Sequence, residues 1–119
     1  MAEKSTVWGL FQNATDTRKV SAGTAIFAEG DPGAELFGIV EGEVELRGTG
    51  GLLRRLGPRE VFGEMALVDD APRSATAVAV VDTTLAVVDR RRFLFLVQET
   101  PMFALEVMSV MAERIRQRT

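Results

Sequence analysis

The sequence predicts a mainly β domain with flanking helices, an antiparallel β-roll of jelly-roll type. Short apolar and β-branched runs recur at close spacing between residues 20 and 89, with turn-forming residues between them. After Asp89 the pattern changes to a helical spacing, with apolar residues at Phe93, Leu94, Leu96 and Val97. A chain of 119 residues supports one hydrophobic core. Residues 1–119 are therefore expected to form a single domain.

The predicted elements follow in chain order from an N-terminal helical segment, residues 1–19. Within it, residues 6–11 have the apolar content of a short helix, and residues 13–19 are polar and turn-like. The strands of the roll, which spans 20–89, are predicted at 25–27, 36–40, 44–46, 52–56, 76–81 and 84–88. Turns are predicted at 30–33, 48–51 and 57–58, and a tight hairpin at Glu41-Gly42-Glu43. Two helices are predicted within 90–119, the second starting at Thr100-Pro101.

The composition argues against several classes of function. The chain has no cysteine, histidine or tyrosine, which removes thiolate chemistry, the usual general base and the commonest metal ligand. We therefore expect neither an enzyme nor a metal site. No window approaches the ~18 apolar residues of a membrane span, and no signal peptide is evident. These features, with the absence of cysteine, predict a cytoplasmic protein.

Charge is unevenly distributed along the chain. Residues 1–89 carry 8 basic and 14 acidic side chains, a net charge of −6, whereas residues 90–119 carry 6 basic and 3 acidic side chains, a net charge of +3. No nucleic-acid partner is therefore expected along the first segment, and an anionic ligand there requires a dedicated local cation. The run Arg90-Arg91-Arg92 is interpreted as the exposed first turn of a helix.

One stretch carries the candidate site: Phe62-Gly63-Glu64-Met65-Ala66-Leu67, followed by Pro72-Arg73-Ser74-Ala75-Thr76. Gly63 lets a ligand approach the backbone closely, and a short helix beginning near Glu64 would aim its N–H groups at an anion. Arg73 can pair with two phosphate oxygens, and one arginine balances the single charge of a cyclic phosphodiester. Glu64 suits a sugar hydroxyl, and Ser74 adds a hydroxyl beside the arginine.

The two halves of this stretch, together residues 62–76, resemble the phosphate-binding cassette of the cyclic-nucleotide-binding domain family. That family includes protein kinase A regulatory subunits, the catabolite activator protein and cyclic-nucleotide-gated channels, and the resemblance extends over residues 20–116. It implies cAMP or cGMP as the ligand, with Glu64 on the ribose 2′-hydroxyl and Arg73 on the cyclic phosphate. It also implies that the pocket is lined at Gly63, Met65, Ala66, Ser74 and Ala75.

The resemblance gives four further residues a role, and each has an alternative. Arg54 lies where family members often place an apolar residue facing the base. If Arg54 faces inward it would stack on the base or bond guanine, whereas a one-residue slip turns it to solvent. Leu67 and Phe93 match the hinge positions, or are core residues. Arg114 is the candidate lid over the base, or a solvated charge that favours the helix end.

Other interpretations of the same residues are weaker. Glu64 and Arg73 alone would fit a structural ion pair, and Asp69-Asp70 is interpreted as a solvated turn rather than a metal site. The glycines of 48–51 lack the Lys-Ser/Thr that follows in a P-loop, which favours a hairpin. If this chain were an enzyme acting on cyclic nucleotides, it would lack a general base and metal ligands. A roll that binds nothing has no physical need for this glycine, glutamate and arginine set.

The favoured function is a stand-alone cyclic-nucleotide sensor. Its C-terminal helices are expected to change position on ligand binding and to signal to an unidentified protein partner, without membrane contact by this chain. The Met1-Ala2 start favours this version. The alternative is an excised regulatory domain of a cyclic-nucleotide-gated channel or another effector. Ser74 does not decide the base, because serine occurs there in binders of either nucleotide.

Overall fold

A computed structural model describes residues 16–69 and 71–118, with side chains described up to residue 116. Within these residues the strands are β1 (Asp16–Val20), β2 (Ala25–Phe27), β3 (Glu35–Glu41), β4 (Val44–Gly48), β5 (Gly51–Leu56), β6 (Val61–Phe62), β7 (Thr76–Ala79) and β8 (Thr83–Asp89). They form two four-stranded sheets, ordered β1-β8-β3-β6 and β2-β7-β4-β5. Neighbouring strands pair antiparallel throughout. The predicted antiparallel β-roll is confirmed.

A 3₁₀ helix and two α-helices complete the described part of the chain. The 3₁₀ helix (Glu64–Leu67) follows β6, where a short cassette helix was predicted. Helix α1 (Arg90–Glu99) follows β8 directly, and the Asp89 side chain caps it by accepting the N–H of Arg92 at 2.8 Å. Helix α2 (Pro101–Arg118) begins one residue after α1 is capped at Thr100. Both C-terminal helices are confirmed, and Arg90-Arg91-Arg92 forms the first turn of α1.

The core has two parts, one on each face of the first sheet. Adjacent residues of a strand point to opposite faces, so Leu36 and Phe37 of β3 enter different clusters. Between the sheets lie Phe37, Ile39, Val44, Leu56, Phe62, Ala77 and Leu85. Between the first sheet and the helices lie Leu36, Leu67, Ala86, Val88, Leu96, Phe103 and Val107. The helices are thereby packed on the sheet that carries the cassette.

Two local predictions are wrong. Residues 16–19 are not a turn, because β1 pairs with β8 along its whole length from Asp16↔Val87 to Val20↔Thr83. Residues 41–43 are not a hairpin, because β3 and β4 belong to different sheets. Gly42 has φ 111°, and a Cβ there would lie 2.4 Å from the Thr83 hydroxyl oxygen. Only glycine fits this corner, where the chain crosses between sheets.

Two other turn predictions are confirmed. The turn predicted at 30–33 lies instead at residues 28–31, where the N–H of Asp31 donates to the Ala28 carbonyl at 3.0 Å. The 48–51 turn closes the β4–β5 hairpin through the pair Gly48↔Gly51, and residues 57–60 turn toward β6. The helix predicted at 6–11 lies outside the described residues. Within residues 16–69 and 71–118, no helix is long and apolar enough to span a membrane.

Candidate anion-binding site between the cassette and the last helix

The cassette begins with a left-handed glycine that lies against the site. Gly63 caps the 3₁₀ helix at φ 79°, ψ 10°, a conformation that glycine adopts without a Cβ penalty. A Cβ at this position would lie 2.9 Å from the Nη1 atom of Arg73 and 3.1 Å from the carbonyl oxygen of Glu35. Both the backbone conformation and the close approach of Arg73 therefore require glycine here.

Arg73 extends from the second half of the cassette into the space beside Gly63. The residue is only 7% exposed. Its Nη1 donates to the Gly63 carbonyl at 3.1 Å and its Nη2 donates to the Glu35 carbonyl at 3.0 Å. The guanidinium carbon lies 4.2 Å from the centroid of the Phe27 ring, within the range of a cation–π contact. The structure thus joins the two cassette halves through a buried arginine.

The segment at residues 30–33 holds Arg73 in place from the other side. The N–H of Gly30 donates to the Arg73 carbonyl, and the N–H of Arg73 donates to the Asp31 carbonyl, both at 2.8 Å. A Cβ at Gly33 would lie 2.3 Å from the Arg73 Nε. Sequence reasoning recognised this segment only as a turn and missed its contact with the site. The signal that would have found it is the glycine pair within a Gly-Asp-Pro-Gly turn.

The electrostatic surroundings of Arg73 are unusual for a buried cation. Burial lowers the pKa of the guanidinium, while the carboxylates of Glu35, Glu64 and Asp31 oppose that shift. Its side-chain hydrogen bonds go to neutral carbonyls, and its Nε is a buried donor without a hydrogen-bond partner among the described residues. An unpaired buried donor is costly. A group that remains charged in such surroundings suits an anion with oxygen acceptors.

Glu64, the other charged cassette residue, is bound to the last helix. The residue is 3% exposed, and its two carboxylate oxygens accept from Nη1 of Arg114 at 2.8 and 2.9 Å. The Nη2 of Arg114 also donates to the carbonyl of Val61. Arg114 therefore contacts the cassette directly and is not a solvated charge. Its predicted role as a lid over a base stays a prediction.

Leu67, at the end of the first half of the cassette, contacts both C-terminal helices. Leu67 is buried in the cluster that contains Leu96 and Phe103, and Phe93 packs against the same cluster. The Phe93 and Phe103 rings lie 5.6 Å apart between centroids. The Nη1 of Arg90 donates to the Leu67 carbonyl at 2.7 Å. The structure brings the two predicted hinge residues into one cluster, and their role as a hinge stays a prediction.

Arg54 faces the inside of the roll, which answers the register question that the sequence left open. It lies directly opposite Leu46, and Leu46 packs against the core between the sheets. The next pair, Glu45↔Arg55, points to the opposite face. There Glu45 accepts from Arg55 and from Arg47, the latter at 2.7 Å, and its pKa is lowered chiefly by the Arg55 hydrogen bond.

The remaining predicted site residues lie around the same cassette. Ala75 is buried and Ala66 half-buried, whereas the side chains of Met65 and Ser74 are exposed. The carboxylate of Asp69 accepts from the N–H of Ala71 at 3.1 Å, and Asp70, the other residue of the predicted solvated turn, lies outside the described residues. Within residues 16–69 and 71–118, no cluster of three or more acidic, histidine or cysteine residues is positioned to hold a metal.

Comparison with known proteins gives a consistent result. A family model described as "Cyclic nucleotide-binding domain" matches residues 17–100. The cyclic AMP receptor protein of Thermus thermophilus is 42% identical over 100 residues, which cover 80% of this chain and 46% of that protein. The chain therefore spans about half the length of this curated relative.

Solved structures resemble the chain over nearly its whole length. The catabolite activator protein of Thermus thermophilus has a TM-score of 0.84 at 36% identity, covering 95% of this chain and 55% of that chain. A structure described as "A cyclic-GMP-dependent signalling pathway regulates bacterial phytopathogenesis" has a TM-score of 0.84 at 32% identity. It covers 98% of this chain and 94% of that chain.

Proposed function

The chain belongs to the cyclic nucleotide-binding domain family, and from that premise we propose that it is a cytoplasmic cyclic-nucleotide sensor acting on a partner protein. The observation that carries the proposal is the buried guanidinium of Arg73, which has neutral hydrogen-bond partners and whose Nε is bound by none of the residues that the structure describes. A desolvated cation in these surroundings favours a singly charged anion. A cyclic phosphodiester is such an anion.

In this proposal Arg73 and Glu64 bind different parts of the nucleotide. Arg73 binds the cyclic phosphate. Because Gly63 has no side chain, the phosphate can come close to the backbone at the start of the 3₁₀ helix. Glu64 accepts a hydrogen bond from the ribose 2′-hydroxyl, which is the free hydroxyl of a 3′,5′-cyclic nucleotide. A carboxylate has acceptor sites for this bond, and its negative charge would repel the phosphate, so the two roles are not interchangeable.

The contact between Glu64 and Arg114 is the one that we expect ligand binding to change. Glu64 is 3% exposed as a residue, and Arg114 of α2 covers its carboxylate through two hydrogen bonds. A ribose hydroxyl therefore competes with Arg114 for the same oxygens. We expect ligand binding to release Arg114 and shift α2, because a ligand changes an equilibrium by its differential affinity for the two states.

The shift would pass to α1 and α2 through the packed contacts of Leu67. The Leu67 carbonyl is bound by Arg90 of α1, and its side chain packs in a cluster with Phe103 of α2. A moved cassette thus changes the positions of both helices, and the partner protein reads that change. The proposed activity is binding and signalling without catalysis. The alternative is that the chain is the regulatory domain of a channel or other effector, which then takes the place of the partner.

The experiment is calorimetric titration of the purified chain with cAMP, cGMP and 5′-AMP, after removal of co-purified nucleotide. We expect saturable binding of a cyclic form and much weaker binding of 5′-AMP. The open phosphate of 5′-AMP carries additional charge that one arginine does not balance, and its geometry differs. Equal affinity for 5′-AMP, or no binding of either cyclic nucleotide, would reject the proposal.

A further inference from the structure

We infer that Arg18 is a positioning residue of the anion site, which keeps the carboxylate of Glu35 away from the guanidinium of Arg73. This inference rests on the proposed function, because it concerns the group that would compete with the phosphate for Arg73. Three observations carry it: the inner-face position of Arg18, the two contacts that Glu35 makes, and the acidic surroundings of the Glu35 side chain.

Arg18 lies on the inner face of the first sheet, close to the anion site. It is directly opposite Leu85 in the pairing of β1 with β8, and Leu85 belongs to the core between the sheets. Its guanidinium carbon lies 5.5 Å from the centroid of the Phe37 ring, and that of Arg73 lies 5.8 Å from the same centroid. Two arginines from distant parts of the chain therefore contact one aromatic ring.

Glu35 connects the two arginines through different atoms. Its carbonyl accepts from Nη2 of Arg73 at 3.0 Å, and its carboxylate lies 3.7 Å from Nη2 of Arg18. The carboxylate is near enough to Arg73 to oppose the lowering of the arginine's pKa more than Glu64 or Asp31 does. Glu35 thus gives Arg73 a neutral acceptor while its own charge is paired with Arg18.

The side chain of Glu35 lies among other carboxylates. A cleft of about 270 Å³ at this end of the first sheet is lined by the carboxylates of Asp16, Glu35 and Asp89 and by the guanidinium groups of Arg18 and Arg92. Glu35 is directly opposite Asp89 in the pairing of β3 with β8. Like charges opposite each other on neighbouring strands repel, so the Glu35 carboxylate is stabilised by a cation. Arg18 supplies that cation.

Without Arg18, the Glu35 carboxylate is free to turn to Arg73. The Nε of Arg73 is a buried donor bound by none of the described residues, and a carboxylate oxygen is a strong acceptor for such a donor. The resulting pair would occupy donors that the proposed site offers to a phosphate. Arg18 therefore keeps the Arg73 guanidinium available to an anionic ligand without contacting the ligand itself.

The test measures dissociation constants of cAMP and cGMP for the unmodified chain, Arg18→Ala, Glu35→Gln and the double variant. We expect Arg18→Ala to weaken binding by about 5-fold, the upper end for an ion pair with exposed side chains. Glu35→Gln should bind at least as tightly as the unmodified chain. The double variant should bind like the unmodified chain, because no carboxylate remains to compete. Lys19→Ala is the matched control, since it removes the same charge from the same strand on the opposite face.

A ligand-free measurement gives a second readout. Proton–nitrogen correlation NMR follows the Nε–H signal of Arg73, with Arg73→Lys used for assignment. In Arg18→Ala this signal should move downfield before any nucleotide is added, because the Nε–H gains a carboxylate acceptor. In the double variant it should return to its position in the unmodified chain. A merely structural role of Arg18 would not produce a shift that Glu35→Gln reverses.

The outcomes separate this inference from the proposed function. If the cyclic nucleotides bind and Arg18→Ala leaves their affinity unchanged, the positioning role is rejected while the sensor remains. The same holds if the double variant stays as weak as Arg18→Ala, or if Lys19→Ala causes an equal loss. If no cyclic nucleotide binds to the unmodified chain, the sensor is rejected. In that case an Arg73 signal that stays in place in Arg18→Ala rejects the positioning role as well.

Discussion

Two arginines contact the cassette, the buried Arg73 and the half-buried Arg114, and their surroundings differ in kind. Arg73 donates to two backbone carbonyls, lies over Phe27 and keeps its Nε unpaired among the described residues. Arg114 pairs with the carboxylate of Glu64 at 2.8 and 2.9 Å and donates to the carbonyl of Val61. The first guanidinium has neutral hydrogen-bond partners, whereas the second has a counter-ion of its own.

This difference indicates two distinct tasks at the two ends of one site. A buried charge is costly unless it is paired, so the surroundings of Arg73 are suited to a counter-ion that arrives with the ligand. Arg114 is already neutralised, and its pair with Glu64 holds α2 against the cassette. We therefore expect changes at Arg73 to weaken ligand binding and changes at Arg114 to strengthen it.

The largest effect is expected for Arg73→Ala. Removing the guanidinium leaves a bound phosphate without its charged partner, which should weaken cyclic-nucleotide binding by about 2–5 kcal/mol. Titration calorimetry measures this loss, and Arg47→Ala on the outer face serves as the matched control. Arg73→Lys, which keeps the charge but cannot bind two oxygens at once, should fall between them. An affinity change below about threefold would remove Arg73 from the phosphate site.

A smaller effect on binding is expected for Gly33→Ala. The new Cβ would fall 2.3 Å from the Arg73 Nε, so the flexible guanidinium must move away while the backbone stays as it is. We expect affinity to drop by about 1.5–3 kcal/mol, the range for a hydrogen bond to a charged group, because the displaced guanidinium no longer reaches the phosphate in the same geometry, with little change in melting temperature. Gly50→Ala is the control, since a Cβ there meets nothing within 4 Å. Unchanged affinity for Gly33→Ala would show that the position of Arg73 does not matter for binding.

The smallest effect, of opposite sign, is expected for Arg114→Ala. Loss of the pair leaves Glu64 buried without its cation, which should lower the free energy of unfolding by about 1–3 kcal/mol. The ribose hydroxyl then meets no competitor, so cyclic nucleotides should bind tighter by about 1 kcal/mol, the low end of typical coupling energies. Urea unfolding and calorimetry measure the two quantities. Weaker binding would instead make Arg114 a direct ligand contact.

Most of the fold was predictable because its signals are local. The strand runs, the glycine turn at 48–51 and the helical spacing after Asp89 all appear in the sequence and in the structure. Strand β1 was missed because it is an edge strand whose first four residues are exposed, so it shows no hydrophobic alternation and its order comes from pairing with β8. The corner at Gly42 was mistaken for a hairpin because turn residues do not reveal which sheet the next strand joins.

The candidate site was predictable only in part. The motif identified Glu64 and Arg73, but their partners come from distant parts of the chain. The carbonyl that accepts from Arg73 belongs to Glu35, 38 residues before it in the chain. The arginine that pairs with Glu64 is Arg114, 50 residues after it. The inward direction of Arg54 depended on the register of β4 and β5, which includes a bulge after Leu46. Such features are set by tertiary packing and leave no local pattern.

The most direct test of the account follows the Nε–H signal of Arg73 by proton–nitrogen correlation NMR while cGMP is added, with Arg73→Lys used for assignment. The account predicts that this signal moves downfield and saturates with ligand occupancy, because the buried Nε–H gains an anionic acceptor. Addition of 5′-AMP to the same concentration should move it far less. An Arg73 signal that stays in place while calorimetry shows the site to be saturated would contradict the claim that this arginine holds the phosphate.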